Sequence, residues 1–208
     1  MEGRITNYLH KGDLPADVTF SGDLAVDTEA MGLNNKRDRL CLVQLSDGNG
    51  DAHLVKFEAG VYEAPRLVAL LTDPKRTKIF HFARFDLSIM RHYLGVRLSP
   101  VYCTRTASRL VRTYTDKHGY KDICKELLGI DISKQQQSSD WGTDTLSKDQ
   151  IDYAAADVLH LHKLKAKLDI MTLREGRKEL LDACLGFLPF RAELDLAGFE
   201  NEDIFAHS

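Results

Sequence analysis

Asp27 and Glu29 stand two residues apart, directly after the apolar run Leu24-Ala25-Val26. In a strand, positions i and i+2 share a face. The spacing therefore predicts two carboxylates side by side at a strand end. Like charges held together cost free energy unless a proton or a cation compensates. A third acid, Asp86, follows the apolar "IFHF" near the start of a helical pattern. A fourth, Asp157, comes four residues after Tyr153, a spacing that stacks the two on one helix face. The small residues between them, Ala154 to Ala156, would let that helix approach a neighbour closely.

Each of these acids alone has a plain structural reading, as a strand end, a helix-start acid or a surface acid beside a core tyrosine. Together they form an all-oxygen donor set, which suits hard cations such as Mg2+ or Mn2+. Two such ions, about 3.5–4 Å apart, are the usual device for in-line phosphoryl displacement. Tyr153 would then position or deprotonate the attacking water. Nothing competes with this chemistry: the chain has no G-x-x-x-x-G-K-[ST] phosphate loop and no Cys/His nucleophile pair.

The elements that would carry these residues follow from periodicity and punctuation. "DLAVDTEAM", "LCLVQLS" and "DAHLVKF" read as strands, and "SDGNGD" between the last two is a turn signal, so a hairpin or meander is expected. "APRLVALLTDP" reads as a helix with Pro65 in its first turn, "TKIFHF" as a short buried strand, and "RFDLSIMRHYLGV" as a helix stopped by Gly95. "PVYCT" is a candidate last strand. From about residue 104 the chain reads as mostly helical, with a long stretch from Ser147 that breaks near Gly176. Ser147 and Gln150 have the spacing of a capping box. The expected architecture is one α/β domain with a helical C-terminal part.

With 208 residues, 43% apolar and 28% charged, the chain suits a single soluble globular domain. A net charge of −3 argues against a protein that coats nucleic acid. It leaves room for an enzyme that grips a short strand locally through metal ions. No apolar run is long enough to span a membrane, and the start lacks the apolar core of a signal peptide. The cysteines at 41, 103, 124 and 184 are scattered. They read as reduced thiols of a cytoplasmic protein.

The motifs in order resemble the ribonuclease D-like DEDD exonucleases of the tyrosine branch. Asp27-Thr28-Glu29 continues as D-x-E-x-x-G-L with Gly32 and Leu33, "HFARFD" supplies the second motif, and Tyr153 with Asp157 supplies Y-x-x-x-D. A sister branch places a histidine one position earlier, where this chain has Asp152. The flanks "RDRLCLVQLS" and "RTYTDKHGYKDICKELLGIDISKQQQSSDW" are also similar, most of all to the nanoRNase C members, short bacterial enzymes that remove very short RNAs. The resemblance implies an RNase H-like fold, a mixed central sheet flanked by helices. It implies two divalent ions, Mg2+ or Mn2+, held by Asp27, Glu29, Asp86 and Asp157, with Tyr153 orienting the water. It implies that Leu33 wedges between bases and that His81, Lys134, Gln136, Ser139 and Trp141 border the nucleotide. His81 and Trp141 each have a bland reading too, as core residues.

The resemblance further implies short single-stranded RNA or dinucleotides as substrate, with DNA an alternative, and a homo-oligomer, a ring-shaped octamer in the family. Residues 1–190 form the expected exonuclease domain. Residues 191–208 read as an acidic but apolar tail, suited to an oligomer contact or to packing on its own domain, and no HRDC-type helical nucleic-acid-binding domain is expected. Between residues 101 and 134 there are seven Lys or Arg against four acids. Arg105, Arg109 and Arg112, at i, i+4 and i+7, are either a solvated helix face or side chains that meet RNA phosphates. The leading expectation is a 3'-5' exoribonuclease on short oligoribonucleotides. The alternatives are a broader exonuclease on longer RNA or DNA ends and an inactive nucleic-acid-binding module.

Overall fold

A computed structural model describes residues 6–133, 135–136 and 138–207. Strands β1 (Asn7–Lys11), β2 (Leu24–Ala30), β3 (Leu40–Ser46) and β4 (Ala52–Lys56) come first. Helix α1 (Pro65–Thr72), strand β5 (Lys78–Phe80), helix α2 (Ala83–Leu94) and strand β6 (Val101–Cys103) follow. The remaining helices are α3 (Thr104–Val111), α4 (Tyr120–Leu128), α5 (Lys148–Leu159), α6 (Leu161–Arg174) and α7 (Lys178–Leu194), which runs on into a π-helical turn at Asp195–Phe199.

The strands make one six-stranded sheet in the order β1-β4-β3-β2-β5-β6. β2, β3 and β4 are an antiparallel meander, as the turn signals predict, while β1 joins β4, and β5 joins β2, in parallel. The mixture fits the chain order: tight turns connect antiparallel neighbours, and helix crossovers connect β5 and β6 in parallel. β3 is buried along its whole length, so helices cover the sheet on both faces. The core is built on Leu24, Val26, Leu40, Leu42, Leu54 and Phe57. β2 therefore delivers Asp27 and Glu29 from the middle of the sheet, where the backbone is least free to move.

Two local devices hold the elements that carry the site. The predicted capping box closes the start of α5, with Ser147 and Gln150 each satisfying the other's backbone N–H. Gln150 also donates from Nε2 to the carbonyl of Asp140, 3.0 Å away. At the other end of the chain, Arg84 on α2 makes a two-pronged ion pair with Asp195 at 2.6 and 2.7 Å, and adds a bond to the carbonyl of Glu200. The Asp195 side chain is 8% exposed, so this pair is worth more than a surface one. The boundary expected at residue 190 falls inside α7, and the segment beyond it is pinned to α2. Arg84→Ala is expected to cost about 2 kcal/mol, which lowers the melting temperature by about 4–8 °C in a domain of this size. A thermal melt checks it, and an unchanged melt would mean the pair contributes nothing.

Candidate functional site

The site forms where β2, α2 and α5 converge. β2 presents Asp27 and Glu29 on one face, and α5 brings Asp157 and Tyr153 down onto that face. Each of Asp27, Glu29 and Asp157 offers a carboxylate oxygen, and these three oxygens all lie within 4.8 Å of one another. Asp86 sits at the edge of this cluster. Thr28, which points the other way from β2, donates its hydroxyl to Asp86 Oδ1 at 2.6 Å. The structure thus brings three of the four acids into one group and holds the fourth, buried, at its rim.

Electrostatics sets the character of the cluster. Burial raises Asp27 to about 7. Burial first, then the charges of Asp27, Asp157 and Asp86, push Glu29 up further. Asp86 and Asp157 rise by burial and by the charge of Asp27. Such a group takes up protons or a multivalent cation. Its donors are all carboxylate oxygens, which fits a hard divalent ion rather than a thiol- or imidazole-seeking one. Tyr153 is pushed well above the ordinary phenol range by burial and by the charge of Asp157. Opposite Asp27 in the ladder stands Gln44, fully buried, with neither amide atom partnered.

Two cavities open from this cluster. One, of about 360 Å3, is lined by Arg105, Tyr120, Lys121, Ser133, Tyr153 and Asp157. The other, of about 580 Å3, is lined by Met31, Leu33, Phe85, Asp86, Ser139 and Trp141. Asp27, Thr28, Glu29, His81 and Phe82 belong to both. Each cavity is in the size range of small-ligand sites, about 300–1,000 Å3, and the acids form their common floor.

The expected substrate-side residues divide accordingly. Leu33 is 90% exposed on the β2–β3 loop and lines the second cavity. Gly32 permits that loop, because a Cβ there would come within 2.3 Å of the Asp38 carboxylate, which accepts from the backbone N–H of Asn34. Trp141 is buried beside Tyr153, with ring centroids 6.1 Å apart. Ser139 reaches the second cavity and donates to the side chain of Gln136. Lys134 lies outside the described residues. Arg105 lines the first cavity, whereas Arg109, exposed on α3, lines neither. Arg112 is a correction. α3 ends at Val111, and beyond it Arg112 turns fully inward, pairing with Glu126 and donating to Ser108 and the Lys117 carbonyl. Its role is structural.

His81 is more than a core histidine. The Thr104 hydroxyl donates to the Phe80 carbonyl at 3.1 Å, so its lone pair is what faces His81 Nδ1 at 2.9 Å. Nδ1 is then the protonated nitrogen, and Nε2, buried and without a partner, is left as an acceptor at the junction of the cavities. Burial and the nearby Arg105 lower His81 to about 3, so the ring stays neutral. Among residues that sequence reasoning missed, Phe82 stands out. It is the one non-glycine with positive φ among the described residues, at φ 64° and ψ 48°. A side chain held there costs about 1–3 kcal/mol. Nothing in the sequence announces it, since phenylalanine is not a residue type that marks a positive φ. Tyr120, Lys121 and Phe85 were also missed, because spacing does not reveal which side chains of separate helices meet.

Comparison with known proteins agrees with this geometry. The 3'-5' exonuclease family matches residues 12–172. Ribonuclease D of Gluconacetobacter diazotrophicus is 35% identical over 165 residues, which are 79% of this chain and 42% of that protein. The chain thus spans less than half the length of that relative. Among solved structures, Brucella melitensis NrnC bound to pGG is 53% identical with a TM-score of 0.95, covering 99% of this chain and 100% of that one. Brucella melitensis NrnC with bound Mg2+ is 52% identical at a TM-score of 0.93, covering 98% and 99%. The mixed sheet flanked by helices is the RNase H-like exonuclease fold. The chain belongs to the 3'-5' exonuclease family, a divalent-metal-dependent family of nucleases, with ribonuclease D among its relatives.

Proposed function

We propose that the protein is a 3'-5' exoribonuclease that hydrolyses short oligoribonucleotides, dinucleotides included, to 5'-mononucleotides with two divalent ions. The observation that carries this reading is the pair of cavities sharing one acidic floor. A scissile phosphate over Asp27 and Glu29 leaves room for one nucleoside on each side, and pGG is the ligand of the closely similar NrnC.

Asp27, Glu29 and Asp157 would hold the ions, with Asp86 reaching them from the rim. Bound Mg2+ or Mn2+ supplies an activated water and neutralises charge on the phosphate. The chain's own residues do the rest. Tyr153, beside Asp157 on α5, orients the nucleophile. Arg105 and Lys121 face the phosphates from the first cavity, and Leu33, Trp141 and Ser139 wall the second. His81 Nε2 offers an acceptor to a hydroxyl or amino group of the substrate. Exposed Ile170, Leu173, Leu180, Phe187 and Phe190 on α6 and α7, with Phe205 beyond them, support a homo-oligomer, with the family's octamer as the proposed state. The free thiols of Cys41, Cys103, Cys124 and Cys184 suit a reducing cytoplasm.

The test is a time course on 5'-labelled RNAs of two, seven and about twenty nucleotides, with matched DNA, in Mg2+ and in Mn2+. The expected result is rapid loss of the dinucleotide and slow decay of the long RNA. Equal rates at every length would replace this reading with that of a general 3'-end trimming exonuclease.

A further inference from the structure

We infer that Phe82 is a stacking platform for a nucleobase of the substrate, lodged at the junction of the two cavities. The inference rests on the reading of the site as one for short oligonucleotides.

Three independent observations lead to it. Phe82 lines both cavities, beside the acids that form their common floor. Its residue surface is 49% exposed, although the chain around it is closed: Phe80 and Ala83 are fully buried. It occupies a left-handed backbone conformation that a phenylalanine enters reluctantly. The turn itself is needed, since it reverses the chain between β5 and α2 so that Asp86 can face β2. A phenylalanine is not. The Ala83 N–H is satisfied by Cys103 Sγ, which the Phe82 side chain does not touch in any hydrogen-bonding sense, and glycine or asparagine would make the same turn with less strain. An aromatic ring that contributes little to the core and strains the backbone is there for what it presents to the outside.

Its surroundings say what that is. The Arg105 guanidinium lies over the ring, 5.1 Å from its centroid. This stack holds the arginine above the first cavity, in reach of a phosphate, and leaves the remaining ring surface open to the junction. A flat apolar surface backed by a cation is what aromatic–base stacking uses, and every base has a π-face, so such a platform is tolerant of sequence. Tyr120 and Ile132 complete the apolar part of that cavity. The base concerned is the one in the Arg105 cavity, on the Tyr153 side of the acids.

The experiment separates this role from a structural one by using substrate analogues. Phe82→Asn keeps the turn and removes the ring, and Phe82→Tyr keeps the ring. Each variant is melted and assayed with a diribonucleotide and with two analogues, abasic at either the 5' or the 3' nucleoside. Phe82→Asn is expected to melt no lower than the wild type, while its kcat/KM on the intact dinucleotide falls about 10-fold or more, the size of one base stack. Phe82→Tyr should stay within about 3-fold of wild type, because the π-face is retained. On one of the two abasic analogues the wild type should already be slow, and Phe82→Asn should lose nothing further. An equal loss on all three substrates, or no loss on any, overturns the platform. A wild type that leaves every dinucleotide intact overturns the short-oligonucleotide reading, and the platform falls with it.

Discussion

Replacing Asp27 by Ala is expected to abolish turnover, with a loss of about 10³-fold or more in kcat. Asp27 is central to the cluster: its charge raises Glu29, Asp86 and Asp157. Its oxygen is one of the three that fall within 4.8 Å of one another. Metal ions contribute several kcal/mol of transition-state charge stabilisation in such sites, and each 1.36 kcal/mol is a factor of ten in rate. Tyr153→Phe should behave differently. It removes a hydroxyl that orients the nucleophile, without removing a carboxylate, so kcat should fall about 10²-fold while metal binding persists. Single-turnover assays across a Mn2+ titration distinguish the two. Near wild-type activity in Asp27→Ala would disprove the metal assignment outright.

The second large effect is thermal and depends on pH. Asp27, Glu29, Asp86 and Asp157 all have folded-state values above their ordinary ones. Between about pH 4 and those raised values the folded protein binds more protons than the unfolded one. The cluster's contribution to metal-free stability is therefore intact at the acidic end and is lost as pH rises through about 7, the value for Asp27. Divalent ions reverse this by replacing the protons, so their stabilisation should be small at pH 5 and large at pH 8. At 100 times Kd a ligand adds about 2.7 kcal/mol, or about 5–11 °C in a domain of this size. Melts with EDTA and with Mn2+ at both pH values check the sign. Asp27→Asn should melt higher than wild type in EDTA at pH 8, gain little from Mn2+, and be inactive. A metal shift of the same size at both pH values would contradict the coupled-acid picture.

Much of this site could be read in the residues because its chemistry forces its patterns. An i, i+2 pair of acids at the end of an apolar run has few purposes, and Ser147 with Gln150 marked the start of the helix that carries Tyr153 and Asp157. What escaped reading depends on contacts between distant segments. β1 has a weak pattern, "NYLHK", and becomes a strand only because β4, more than forty residues later, offers a free edge. The break between α5 and α6 falls at His160, where neither glycine nor proline announces it. Arg112 has the spacing of its neighbours on α3, but the helix stops one residue short of it, and a buried partner decides its fate. Phe82 could be read only from its backbone angles.

Gln150 has a consequence for how the site moves. Its backbone N–H and its side-chain oxygen are both committed to Ser147, and its amide nitrogen to the carbonyl of Asp140, the residue before Trp141. Arg39 on the strand side holds the next link, donating to the carbonyl of Gly142. The first turn of α5 and the wall of the second cavity therefore cannot fray separately. In hydrogen exchange, the amides of Gln150 and Gly142 should become accessible in the same opening event, at one common free energy. A loop that elsewhere would breathe on its own is geared here to the helix of Tyr153 and Asp157. Opening of that wall is therefore expected to loosen the start of the helix that carries Tyr153 and Asp157, and not the wall alone.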